Sequence, residues 1–292
     1  MAENITTIIK SASKEVEISR GNPTVIIGER INPTGRKKVL AALQEGDFEV
    51  VKDDATKQVE AGAAILDVNA GVPGVDEPEL LKKVLQTVMD ITDVPLCIDS
   101  ADPEALRAAL EIYEGKALIN STNGEEKSLE TILPLVKEFN TAVIGLCMDD
   151  DGIPPTPQDR LAVAEKIISR ADKLDIPMED VIIDPLALTM GSDHHAGRIA
   201  LETIELIVEK FGVNITMGAS NISFGLPDRA FINSTFVAMA IYAGMTCPIT
   251  NPLVPAIQTA VLAADLSMGR DEYGSNWIKA YRERQKKEAE GK

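Results

Sequence analysis

The run Ala64-Ile65-Leu66-Asp67-Val68-Asn69 decides the fold: apolar residues with no turn former among them, ending in a carboxylate and a carboxamide. A continuous apolar run bounded by turn signals is the pattern of a parallel strand buried on both faces. Working outward, the same pattern recurs at Val25-Ile26-Ile27-Gly28-Glu29-Arg30, Pro95-Leu96-Cys97-Ile98-Asp99 and Ala117-Leu118-Ile119-Asn120. It returns at Ala142-Val143-Ile144-Gly145-Leu146-Cys147-Met148-Asp149, Val181-Ile182-Ile183-Asp184-Pro185, Ile215-Thr216-Met217-Gly218-Ala219-Ser220-Asn221 and Cys247-Pro248-Ile249-Thr250-Asn251. A helix-length segment separates each pair, so eight β-α units are expected to close into one α/β fold, a single (β/α)₈ TIM barrel. Strand C-termini of such a barrel converge on one mouth. Glu29, Asp67, Asn69, Asp99, Asn120, Asp184, Ser220 and Asn221 are therefore expected to face one another, and function should be read from that ring.

The 292 residues slightly exceed the ~250 typical of one barrel, so no second domain is needed. The excess lies at the ends. Residues 1–22 are polar and weakly patterned, a short N-terminal flank expected to cover the barrel floor. Residues 23–292 make the barrel domain, including a charged C-terminal helix over 271–292 that is expected to fray. Between the strands, Leu80, Leu81, Val84, Leu85, Val88 and Ile91 form one buried stripe on a helix over residues 76–92. Asp102-Pro103 is an N-cap with proline at the first helical position. Residues 158–174 and 201–211 repeat the amphipathic pattern, with Gly212 as a stop. Residues 230–243 are almost wholly apolar, as a helix wedged between the barrel and a second subunit would be.

A net charge of −17 repels a phosphate backbone and argues against nucleic acid. No apolar run reaches the ~18 residues of a membrane helix, and residues 1–10 lack a signal-peptide pattern, so a cytoplasmic protein is expected. Cys97, Cys147 and Cys247 stand alone, each in an apolar strand, and read as small buried hydrophobes.

The ring contains no cysteine or histidine, which leaves a thiolate nucleophile, a Ser-His-Asp relay and an ordinary zinc site without support. Aspartates alternating with carboxamides are a weak metal signal, and no metal is expected. Such a mixture instead supplies matched acceptors and donors in fixed directions. A flat heterocycle with an amino group and a ring N–H beside a carbonyl, a pterin or a purine, asks for that set. Individual members also fit as helix caps and turn residues after strands. No group of the ring is expected to titrate near neutrality.

The strings Gly28-Glu29-Arg30-Ile31-Asn32, Leu66-Asp67-Val68-Asn69, Cys97-Ile98-Asp99-Ser100, Ile119-Asn120-Ser121-Thr122-Asn123, Ile183-Asp184-Pro185-Leu186 and Ser220-Asn221-Ile222-Ser223 resemble those of the pterin-binding methyltransferases. Within that group the chain is most similar to the methyltetrahydrofolate:corrinoid protein methyltransferases and to the folate module of cobalamin-dependent methionine synthase. The resemblance spans residues 25–265. It implies that Asp99, Asn120 and Asp184 hold the pterin edge, with Asp67, Asn69 and Ser220 beside it, Asn221 near N5 and Arg229 close to the folate. It also implies a corrinoid partner protein met by the loops bearing Asn123, Gly124 and Phe224, and a homodimer.

The implied substrates are 5-methyltetrahydrofolate or tetrahydrofolate and a cobalamin carried by that partner, with methyl moving in either direction. Cobalt(I) is itself a strong nucleophile, so the enzyme needs none. A tertiary amine leaves badly unless N5 is protonated or hydrogen-bonded; Asn221 can donate such a bond but no proton, which is expected to come from solvent or through a water held by acidic neighbours. Asp193-His194-His195-Ala196-Gly197 is similar to a cobalt-ligating string, but its glycine falls one position early, so the histidines are expected to decorate a loop at the mouth. Dihydropteroate synthase shares the barrel and pterin site but carries lysine after the strand-seven serine, where Asn221-Ile222 stands here. A catalytically silent pterin-binding subunit is the other alternative, one that could lose Asn221 without penalty.

Overall fold

A computed structural model describes residues 4–289; the outermost three residues of the expected flank and of the expected terminal helix lie outside the described residues. Two strands, β1 (Thr7–Lys10) and β2 (Glu15–Ile18), precede eight that form one sheet. These are β3 (Ile27–Ile31), β4 (Ile65–Asn69), β5 (Leu96–Asp99), β6 (Leu118–Asn123), β7 (Ala142–Leu146), β8 (Val181–Asp184), β9 (Thr216–Gly218) and β10 (Cys247–Thr250). All neighbours are parallel, in the order β8-β7-β6-β5-β4-β3-β10-β9. The seam closes where Ile183 bridges Ile215 and its N–H donates to the Asn214 carbonyl at 3.0 Å. The chain is thus the expected (β/α)₈ TIM barrel.

Helices α1 (Lys37–Glu45), α2 (Glu49–Glu60), α3 (Glu77–Met89), α4 (Pro103–Leu110), α5 (Glu126–Phe139), α6 (Pro157–Asp172), α7 (Ala196–Phe211), α8 (Arg229–Ala243) and α9 (Pro255–Ser267) surround the strands, and α10 (Ser275–Ala289) follows. Asp76, Asp102 and Thr156 cap α3, α4 and α6 by accepting backbone N–H bonds, with proline in the first turn of each. Those caps keep the strand-to-helix loops short and the mouth fixed. Helix α7 starts a turn earlier than its apolar pattern, and Gly212 ends it at φ 71°. No described helix is long and apolar enough to cross a membrane.

The N-terminal segment is better patterned than its composition suggests. β1 and β2 pair as an antiparallel hairpin whose Ile9, Val16 and Ile18 join Ile27, Ile65, Cys97, Leu118, Ile144, Ile182 and Cys247 in one buried cluster inside the barrel. Alternation over only four residues per strand is what hid it. The Asn214 amide ties the hairpin down, donating to Thr7 Oγ1 at 2.9 Å and to the Ile18 carbonyl at 2.8 Å. A separate, larger cluster fills the space between strands and helices.

Two strand ends differ from the apolar runs. β7 stops at Leu146, so Cys147 is buried just beyond the sheet, whereas Cys97 and Cys247 do lie in strands. β9 stops at Gly218, and Ala219–Ser223 coil into a 3-10 turn. Apolar residues continue past both ends because the loops themselves are packed inward.

Candidate active site

Parallel register sets the heights of the side chains at the mouth. Asn69 pairs with Asp99 and Asp99 with Asn120, so three strands bring polar residues to one level; Leu146 pairs with Asp184 on the far side. The 3-10 turn after β9 brings Ser220 and Asn221 to the same opening. Glu29, Asp67, Asp99, Asn120, Asp184, Ser220 and Asn221 all line one cavity of about 410 Å³, together with Arg30, Asn32, Arg36, Leu146, Leu186 and Ile249.

Four buried or half-buried carboxyl groups in one cavity lose hydration, and Asp67 is also repelled by Asp99 and Glu29; both effects favour the protonated acid. Burial pushes Asp99 up to about 6 and Asp184 up to about 6. Asp67, buried against Asp99, is held well above the carboxylate range by desolvation and then by that neighbour, although Asn120 Nδ2 donates to its Oδ1 at 3.0 Å. Asn69 and Asp67 interact with the Asp99 carboxyl and partly offset the effect of its burial. Burial likewise raises Glu29, which accepts from the Ser220 hydroxyl at 2.9 and 3.1 Å. The expectation that no group here titrates near neutrality is therefore wrong. Sequence shows the carboxylates but not how far the barrel rim desolvates them.

Asp184 is directed by backbone: its Oδ1 accepts the Leu186 N–H at 2.7 Å, and Gly218 N–H also donates to it. Asn221 lies against Gly218, where a Cβ would meet its Nδ2 at 3.0 Å, so the glycine leaves room for this amide. Arg229 lies at the start of α8 outside the cavity wall. It donates from Nη2 to the Ser220 carbonyl at 2.7 Å and from Nε to Ser223 Oγ at 3.0 Å, which holds the Asn221 turn. Phe224, two-thirds exposed, lies under the Arg229 guanidinium at 5.8 Å.

The other residues of interest lie further out. Asn123 Oδ1 caps the next turn by accepting Glu125 N–H at 2.9 Å. Gly124 is buried, and a Cβ there would meet Val163 Cγ1 at 2.7 Å and the Met148 carbonyl at 2.9 Å, so packing accounts for the glycine. His194 and His195 are exposed beside each other at the head of α7, ring centroids 3.9 Å apart.

A basic group also belongs to the wall. Arg36 forms a two-pronged ion pair with Asp54, 2.5 and 3.2 Å, and bonds the Arg30 carbonyl. Gln58 Oε1 accepts the Arg30 N–H at 2.8 Å and packs so closely that a Cβ on Gly28 would reach it at 2.5 Å. The string from Gly28 to Asn32 was conspicuous in sequence, but its helix partners Asp54 and Gln58 lie one turn apart on α2 with no local signal.

The cavity combines acceptors, carboxamide donors and apolar walls from Leu146, Leu186 and Ile249, a set suited to a flat, polar-edged ring. Comparison with known proteins agrees. Several solved structures share the fold alone: dihydropteroate synthase from Xanthomonas albilineans, with 4-aminobenzoic acid, superposes with a TM-score of 0.66 at 19% identity over 90% of this chain and 98% of that one. The Thermus thermophilus enzyme superposes likewise, with a TM-score of 0.66 at 19% identity over 89% and 99%. In sequence, a methylcorrinoid:tetrahydrofolate methyltransferase of Eubacterium limosum is 32% identical over 89% of this chain and 96% of its own. Methionine synthase of Mycobacterium tuberculosis is 29% identical over 83% of this chain but only 22% of that larger protein. The pterin binding enzyme family matches residues 28–251, the whole span from the first barrel strand to the last, and the chain belongs to that family.

Proposed function

We propose that this enzyme moves a methyl group between N5 of tetrahydrofolate and the cobalt of a corrinoid carried by a partner protein. The observation that carries the proposal is the shared cavity: the turn at Ala219–Ser223 delivers Asn221 into the same mouth as Asp67, Asp99, Asn120 and Asp184. In this account Asp99, Asn120 and Asp184 bind the pterin edge, Asp67 and Asn69 orient them, and Ser220 and Arg229 hold the turn. Asn221 donates to N5 as the N5–methyl bond breaks or forms. The raised carboxyls supply the proton inside the mouth.

Kinship with the Eubacterium limosum methyltransferase supports the reaction class. Dihydropteroate synthesis is less well served, because a pyrophosphate leaving group asks for a cation where Asn221 and Ile222 stand. The corrinoid partner is assigned to the rim. Val75, Ile153, Leu188 and Phe224 are exposed large hydrophobic side chains on four different loops that follow barrel strands. Asn123 is placed on the same face; Gly124 would serve there only as a support for its loop. Three unpaired buried thiols suit the reducing cytoplasm.

The test is incubation of the protein with tetrahydrofolate and methylcobalamin, and separately with 5-methyltetrahydrofolate and Co(I) cobalamin, with folates separated by chromatography. Methyl exchange in at least one direction is expected. Tight folate binding without exchange, even when corrinoid protein is supplied, would reduce the chain to a binding subunit. Dihydropteroate formed from a pterin pyrophosphate and aminobenzoate would overturn the proposal.

A further inference from the structure

Arg160 is 1% exposed, which is rare for arginine, and no carboxylate among the described residues pairs with it. Its donors go to backbone instead. Nη1 reaches the Pro185 carbonyl at 2.9 Å and the Leu186 carbonyl at 2.8 Å, and Nε reaches the Pro154 carbonyl at 2.9 Å. The first two are the residues directly after Asp184. Leu186 sits at φ 65°, a left-handed conformation that a branched side chain rarely adopts. The Pro185 carbonyl belongs to the same planar peptide unit as the Leu186 N–H, so holding that carbonyl fixes the N–H that donates to Asp184 Oδ1 at 2.7 Å.

We propose that Arg160, on α6 and outside the cavity, is a positioning residue: it clamps the turn after Asp184 and so aims that carboxyl group into the mouth. The consequence for pterin binding rests on the folate assignment above; the clamp itself does not. The third bond extends the clamp to the loop after β7, so the loops following β7 and β8 move as one piece. A single charged group can do this because a guanidinium presents several donors in a fixed plane, which an ammonium does not.

The electrostatic consequence has a definite sign. The charged or titratable groups around Asp184 are Arg160 from α6 and the thiols of Cys147 and Cys247, with Asp193 facing Arg160. Only Arg160 favours the carboxylate, against the burial that lifts Asp184 to about 6. Losing both the cation and the Leu186 N–H bond must lift it further.

The experiment is carboxyl-carbon NMR titration of Asp184 in the ligand-free protein, assigned by its absence in Asp184→Asn, for wild type, Arg160→Lys and Arg160→Met. Tetrahydrofolate titrations follow at pH 7. Arg160→Met should raise the Asp184 midpoint and weaken folate binding by roughly tenfold or more. Arg160→Lys keeps the charge and loses part of the clamp, so its midpoint should stay near wild type while affinity falls by less. Adding Leu186→Gly to Arg160→Met should restore part of the stability lost with the clamp, because glycine takes φ 65° without strain. An unchanged Asp184 midpoint in a folded Arg160→Met protein, or in Leu186→Gly/Arg160→Met if Arg160→Met alone does not fold, would overturn the proposal. A shifted midpoint with no folate binding in wild type would uphold the clamp and remove the folate assignment instead.

Discussion

At the scale of single residues, the mouth trades stability for recognition. Asp184 is protonated in the folded protein up to about pH 6, whereas an unfolded aspartate ionises near 3.9. The folded state therefore binds the extra proton between those values, and stability falls as pH rises through that window. Asp184→Asn should stabilise the free protein at pH 8 by about 1–3 kcal/mol, a gain that shrinks as pH drops toward 4. Urea unfolding at the two pH values checks this; a variant less stable than wild type at pH 8 would contradict it. The identities of the mouth residues were legible in sequence because each ends an apolar run. Their proton affinities were not, since those depend on how strands separated by dozens of residues crowd Asp67 against Asp99. Arg160 was equally invisible: an arginine in an amphipathic helix reads as a solvated surface group until its three backbone acceptors are known.

At the scale of elements, the eight barrel strands were legible because each is an uninterrupted apolar run with a polar end, and the capped helices because Asp or Thr precedes proline. The hairpin of β1 and β2 was not, because its short strands alternate and its buried face becomes evident only against the barrel interior. It nonetheless carries weight. Ile9 and Ile18 are fully buried among the lower strand residues, and Asn214 gives its amide protons to the hairpin alone. Ile9→Ala should cost about 2–5 kcal/mol, as cavity-forming substitutions do. A loss under 1 kcal/mol in equilibrium unfolding would show that the hairpin is not part of the cooperative core. The 3-10 turn after β9 is the element that sequence misassigned with most consequence, since extended backbone there would point Ser220 and Asn221 to opposite faces, whereas the observed coil turns both into the cavity.

At the scale of the whole molecule, one face of α8 has no cover among the described residues. Phe231, Thr235, Met239 and Tyr242 recur at helical spacing and are all exposed, beside a groove of about 580 Å³ shared with Met190 and Leu201. We propose a second copy of this chain as its occupant, which would leave the mouths free for the proposed corrinoid protein. Sedimentation should give a dimer for wild type and a monomer for Phe231→Asp/Tyr242→Asp; a monomeric wild type would contradict the assignment. We propose that this mouth performs methyl transfer and that Asn221 acts as the bond to N5 changes. This proposal is tested most directly by single-turnover mixing of Co(I) cobalamin with enzyme-bound 5-methyltetrahydrofolate, for wild type and Asn221→Ala, following cobalt absorbance. Methylcobalamin should form on wild type, and the rate on Asn221→Ala should fall roughly 10²-fold while its folate Kd changes about threefold or less. Equal rates for the two proteins would contradict the claim.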